Sequence, residues 1–81
     1  MESIRDKVME IVSRQMGIDA IKISEEDDLI SDLGADTLDQ CELVMEVENE
    51  FDIRISEDDT WKIDTVGDLV NTVEKIVNNK G

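Results

Sequence analysis

Three stretches of this chain repeat apolar residues at the spacing of one face of an α-helix, and no proline occurs anywhere to interrupt them. In residues 3–16 the apolar positions are Ile4, Val8, Ile11, Val12 and Met16, a helical stripe. In residues 37–51 they are Leu38, Val44, Val47 and Phe51, with Leu43 beside them and Cys41 close to the same face. The last stretch carries Val66, Leu69, Val70, Val73, Ile76 and Val77. Punctuation agrees with this pattern. Ser3 followed by Asp6 resembles a capping box, and Gly17 sits where a helix stops. Ser56-Glu57-Asp58-Asp59 reads as a cap leading into a short helix that ends near Trp61 or Lys62, and Asp64 or Thr65 caps the last helix. No strand, repeat or linker stands out. The expected fold class is all-α: a small four-helix bundle, three main helices and one short, with a long first loop, forming a single domain over residues 1–81.

The long loop covers residues 18–36, too many to be featureless inside so small a domain. Ile18, Ile21, Ile23, Leu29, Ile30 and Leu33 are expected to pin it across the helices. Ser24 with Asp27 reads as a capped short turn, and Gly34 permits tight backbone. Asn78-Asn79-Lys80-Gly81 reads as a frayed tail.

The charge is unevenly placed. Asp and Glu number 22 against 8 Lys and Arg, a formal net of −14. Between residues 23 and 53 there are twelve acids and no base, so −12 of the −14 falls on the first loop and the second helix. High charge with few aromatics is also the signature of disorder, but periodic placement of 40% hydrophobic residues argues for a folded chain. The second helix keeps like charges at i, i+4 (Glu42 with Glu46, Glu46 with Glu50) that destabilise an isolated helix. That concentration reads as a docking surface for basic partners, with fast and salt-sensitive binding. It speaks against nucleic acid and membrane surface as partners.

Several chemistries are missing. There is no histidine or tyrosine, so the commonest general base is absent, and Cys41 has no histidine with which to form a thiol dyad. Cys41 is expected to be a small, partly buried apolar residue, and Trp61 a packing or edge residue. A calcium loop starting at Asp28 fails, because Ile30 and Leu33 occupy its third and sixth positions. Loose divalent binding by clustered carboxylates stays open, but no specific metal site is expected. The glycines are isolated, so no phosphate-cradling loop is present. No apolar run approaches a membrane span, Met1-Glu2-Ser3-Ile4 lacks the pattern of a signal peptide, and one cysteine makes no internal disulfide. The expectation is a chain without enzymatic activity, not inserted in membranes, in a soluble, reducing compartment.

The run Asp32-Leu33-Gly34-Ala35-Asp36-Thr37-Leu38-Asp39, followed by Glu42-Leu43-Val44-Met45 and Glu48-Asn49-Glu50-Phe51, resembles the acyl carrier proteins, and within them the small free-standing carriers of type II fatty acid synthesis. The resemblance covers essentially the whole chain. It implies a shuttle: a serine in Asp-Ser-Leu receives 4'-phosphopantetheine from coenzyme A through a Mg²⁺-dependent phosphopantetheinyl transferase. The arm then carries acyl chains as thioesters between fatty acid synthesis enzymes, which bind the acidic helix through basic patches.

By matching positions, Thr37 takes the attachment role. Asp36 and Asp39 match the acids flanking it, and Glu42, Met45, Glu48 and Asp52 match partner-facing positions. Val47, Phe51, Ile55, Ile63 and Leu69 match the interior that receives an acyl chain, a role that overlaps with plain core. Thr37 departs from the family's serine. Its hydroxyl is secondary and β-branched, and in-line attack tolerates little misplacement, so the expectation is an unmodified or modification-blocked form. Read from its own position, Thr37 is an N-cap hydroxyl. Two origins stay open, a substitution made to keep the chain unmodified or a natural variant that only docks. Two other functions also stay open: a carrier for polyketide, peptide or D-alanyl chemistry, and a non-covalent acidic adaptor.

Overall fold

The structure is a computed structural model describing residues 3–80. Met1 and Glu2, within the stretch read for a targeting signal, and Gly81, the last residue of the expected tail, lie outside the described residues. Four α-helices follow in order: α1 over Ile4–Met16, α2 over Thr37–Phe51, α3 over Glu57–Trp61 and α4 over Val66–Lys80. One 3-10 turn, Ala20–Lys22, lies in the first loop. The bundle is therefore all-helical, with three long helices and one short one.

Each boundary has a local cause. Ser3 accepts from the Asp6 N–H and starts α1; Gly17 ends it in the left-handed region at φ 67°, where a side chain is disfavoured. Ser56 caps α3 by accepting from Asp59 N–H. At α4 the Thr65 hydroxyl accepts from Asp68 N–H, and the Asp68 carboxylate accepts from the backbone N–H of Thr65 and Asp64. The backbone N–H of Thr65 and then of Asp64 hold the Asp68 carboxyl below the usual range. The helix runs on through Asn78, Asn79 and Lys80, so the expected fraying there is not seen.

α1 packs against both α2 and α4. The core gathers Val8, Ile11 and Val12 of α1, Leu43 and Val47 of α2, and Val66, Leu69, Val70 and Val73 of α4, with Ile55 and Ile63 flanking α3. Met9 is also buried, beside the stripe read from sequence.

Non-local hydrogen bonds hold the first loop. Leu29 N–H donates to Asp64 O at 2.9 Å, Val66 N–H to Asp27 O at 3.0 Å and Gly67 N–H to Glu25 O at 2.8 Å, clamping the loop onto the start of α4. The Asp28 carboxylate accepts from Ile30 and Ser31 N–H, and these bonds, that from Ser31 foremost, lower its pKa. Ser24 and Asp27 form the expected turn, with Ser24 N–H donating to Asp27 Oδ2 at 2.8 Å. Gly34, at φ 78°, turns the chain so that Ala35 N–H can reach Leu29 O at 2.8 Å.

Four apolar positions depart from expectation. Ile23 and Leu29 enter the core, but Ile21 and Ile30 are exposed. Ile21 lies in the 3-10 turn, where Ala20 and Lys22 are exposed as well, and Ile30 follows the buried Leu29 in a turn whose backbone the Asp28 carboxylate holds. Leu38 is exposed because it lies five residues before Leu43, about 140° around the helix at 3.6 residues per turn. Cys41 is exposed rather than partly buried, since it stands almost opposite Leu43 on α2.

Candidate functional site

The start of α2 is built by Asp36, not Thr37. Asp36 is the N-cap: its Oδ1 accepts from Asp39 N–H at 2.8 Å, and Asp39 Oδ2 accepts from Asp36 N–H at 3.1 Å. This reciprocal pair satisfies two backbone donors at once. It corrects the reading of Thr37 as the cap. Thr37 is the first helical residue and is exposed. Its hydroxyl is thus released from capping and stands at the positive end of the helix, a place that favours an anion.

Thr37, Gln40, Cys41 and Val44 recur at helical spacing and line one side of a cavity of about 220 Å³. Leu29, Leu43, Ile63 and Leu69, all buried, form its interior, and Glu57, Thr60 and Trp61 of α3 form the opposite rim. A group attached to Thr37 would therefore sit at the mouth of an apolar chamber. Of the residues matched to an acyl-receiving interior, Ile63 and Leu69 line this cavity. Val47 and Ile55 are buried in the core and Phe51 is partly buried against it, and none of the three lines the cavity. Sequence reasoning missed Gln40, Cys41 and Val44, and with them Leu29, Leu43, Glu57, Thr60 and Trp61. The signal for the first three was present in their spacing from Thr37.

The acidic residues of α2 differ in how free they are. Glu42 Oε2 accepts from Gln15 Nε2 at 2.6 Å, and Glu46 lies 3.6 Å from Arg14 Nη2. α1 thereby offsets part of the like-charge crowding on α2. Glu48 Oε2 accepts from Ile55 N–H at 2.8 Å, tying the end of α2 to the segment before α3. Asp52 is the C-cap, in the left-handed region at φ 52°, a conformation Asp tolerates better than most residues. Met45 is exposed on the outer face, as is Leu38. Among the described residues no cluster of three or more side chains could hold a metal ion, and no helix is long and apolar enough to cross a membrane.

A capped helix with an exposed hydroxyl at its first residue, beside an apolar chamber, has the layout that a helical carrier domain needs. The phosphopantetheine attachment site family matches residues 6–73. The acyl carrier protein of Thermotoga maritima is 47% identical over 74 residues, covering 91% of each chain. That of Clostridium acetobutylicum is 46% identical over 69 residues, covering 85% of this chain and 90% of its own. The structure of a proposed acyl carrier protein from Mycobacterium tuberculosis superposes with a TM-score of 0.85 at 34% identity, over 90% of this chain and 97% of that one. This chain belongs to the acyl carrier proteins.

Members of the family are carriers rather than enzymes, and their expected prosthetic group is 4'-phosphopantetheine. The residues present fit that group in position: the Thr37 hydroxyl is exposed, at a helix start and beside the cavity. They fit it less well in chemistry, because the oxygen is borne by a β-branched carbon.

Proposed function

We propose that residues 1–81 form one acyl-carrier domain of type II fatty acid synthesis that Thr37 holds in its unmodified form. The observation that carries this is the division of labour at the start of α2. Asp36 and Asp39 cap the helix between themselves, so a hydroxyl at residue 37 is free to act as an attachment point and has no capping role to explain its presence. The extra methyl crowds the path to the pyrophosphate of coenzyme A. A misplacement of about 1 Å costs about a hundredfold in such a reaction.

In this reading Asp36 and Asp39 meet the transferase and the Mg²⁺ of its site, where a cation offsets the phosphate drawn next to two carboxylates. Glu42, Met45, Glu48 and Asp52 face basic patches on fatty acid synthesis enzymes, and the protein works as a monomer in the cytoplasm or an organelle matrix or stroma. Ile63 and Leu69 take the acyl-receiving role, while Val47, Phe51 and Ile55 support it from the core.

The test is intact-mass measurement after incubation with coenzyme A and a phosphopantetheinyl transferase, beside Thr37→Ser. The serine variant is expected to gain the mass of the arm completely while the threonine form gains it about a hundredfold more slowly. Equal loading of both would refute the block. A second reading, a non-covalent acidic adaptor, is favoured by Thr37 alone; it requires that the unmodified chain bind its partner as tightly as the loaded serine variant.

A further inference from the structure

Trp61 is the one tryptophan of the chain, and it is 75% exposed although it lines the cavity. It sits on α3, a helix of five residues with no buried side chain. The buried Ile55 and Ile63 anchor the chain on either side of that helix. An element with so little burial of its own shifts at low cost. Across the mouth stand Cys41 and Val44 of α2.

We propose that Trp61 is a specificity-determining wall of this cavity: its indole closes over a neutral-headed saturated chain of medium length and sets the length preferred. This rests on reading the cavity as the acyl site. Apolar cavities of about 150 Å³ hold a six-carbon benzene. By proportion, 220 Å³ holds a chain of about eight or nine carbons. A chain of that length fills the interior up to the rim, and its methylenes nearest the mouth then meet the indole. Covering removes apolar surface of both partners from water together. A chain too short leaves the indole exposed, and one too long forces α3 outward. Glu57 on the same rim, within a strongly acidic chain, repels a free carboxylate, so the occupant is an ester, thioester or alcohol rather than a fatty acid anion.

The test uses the full unmodified chain and 1-alkanols from butanol to dodecanol. Two signals are followed: Trp61 fluorescence, and the methyl resonances of Ile63 and Leu69. A saturable blue shift is expected, with tightest binding near octanol. Trp61→Ala should keep the melting temperature, since the side chain is exposed. It should bind octanol about tenfold more weakly through loss of about 60 Å² of covered surface, and lose the length preference; Trp61→Phe should restore most of both. If the methyls respond while Trp61 emission stays fixed, or Trp61→Ala binds like the parent, the wall is refuted and the cavity reading stands. If neither methyl responds to any alcohol, the cavity reading falls and the wall with it.

Discussion

Replacing Asp36 by alanine should destabilise the protein, whereas replacing its neighbour Thr37 by alanine should not. Asp36→Ala removes the acceptor for Asp39 N–H, a 2.8 Å bond. Loss of an N-cap side chain costs about 1 kcal/mol, within a range of about 0.5–2. Loss of a carboxylate at the positive helix end adds about 0.3–1 kcal/mol at low ionic strength. The Asp36 N–H keeps its bond to Asp39 Oδ2, so that half of the capping box survives the substitution. The net expectation is about 1–2 kcal/mol, and a domain of this size loses about 4–8 °C of melting temperature per kcal/mol.

Thr37→Ala removes an exposed hydroxyl from the first helical position and installs a better helix former. Its melting temperature should hold or rise slightly. Asp36→Asn serves as control: it keeps a capping oxygen and loses only the charge, so its drop should be a fraction of that for alanine. Thermal unfolding followed by circular dichroism at 222 nm, in a fixed low-salt buffer, reads all three. A larger loss for Thr37→Ala than for Asp36→Ala would show that Thr37 is the cap after all. The reason for regarding its hydroxyl as free for attachment would then disappear.

Three further outcomes follow from the same geometry. Glu48→Ala leaves the Ile55 N–H without its 2.8 Å acceptor and should cost about 1–3 kcal/mol, measured by urea unfolding; Glu48→Gln, which retains an acceptor, should recover most of that. Asp28 and Asp68 have carboxyl pKa values lowered by backbone N–H groups, so they bind protons more weakly folded than unfolded. Their contribution is complete above the ordinary Asp value of about 4 and is lost as pH falls through the lower folded values. Asp68→Asn should therefore flatten the loss of melting temperature below about pH 4. Added NaCl or MgCl₂ should raise the melting temperature by screening the twelve acids between residues 23 and 53; no change with either salt would show that this charge is not under repulsive strain.

The parts of the fold legible in sequence are those decided within one turn of helix. The stripe from Ile4 to Met16 and the caps at Ser3, Gly17 and Ser56 lie where their own neighbours put them. The first loop was legible only in part. The Ser24–Asp27 turn is local, but the clamp joining Asp27 and Glu25 to Val66 and Gly67 links residues about forty apart through backbone groups, which carry no side-chain signature. The same limit explains Ile21 and Ile30. Hydrophobic type marked them for burial, but the backbone of the 3-10 turn and of the turn at Asp28 leaves them exposed. The cavity needed three elements to meet, so Ile63 and Leu69 could be matched by position while Trp61 could not.

The cap at α2 connects stability to function in a way that composition alone does not. A helix with like charges at i, i+4 on α2 is a poor helix in isolation. Here it is supported from three sides: Asp36 and Asp39 close its start, Gln15 and Arg14 of α1 engage Glu42 and Glu46, and Glu48 secures its end to Ile55. These contacts hold the helix without neutralising the acidic surface as a whole, and they leave Leu38 and Met45 exposed on it. A surface of this kind, apolar points among carboxylates, suits partners whose contact faces are basic and partly greasy. Because none of these supports requires the Thr37 hydroxyl, the methyl that distinguishes threonine from serine there can alter the chemistry of the hydroxyl while leaving the helix and its acidic face intact. It follows that Thr37→Ser should restore loading with partner affinity in the unmodified state unchanged, and that the two properties are separable by a single methyl group.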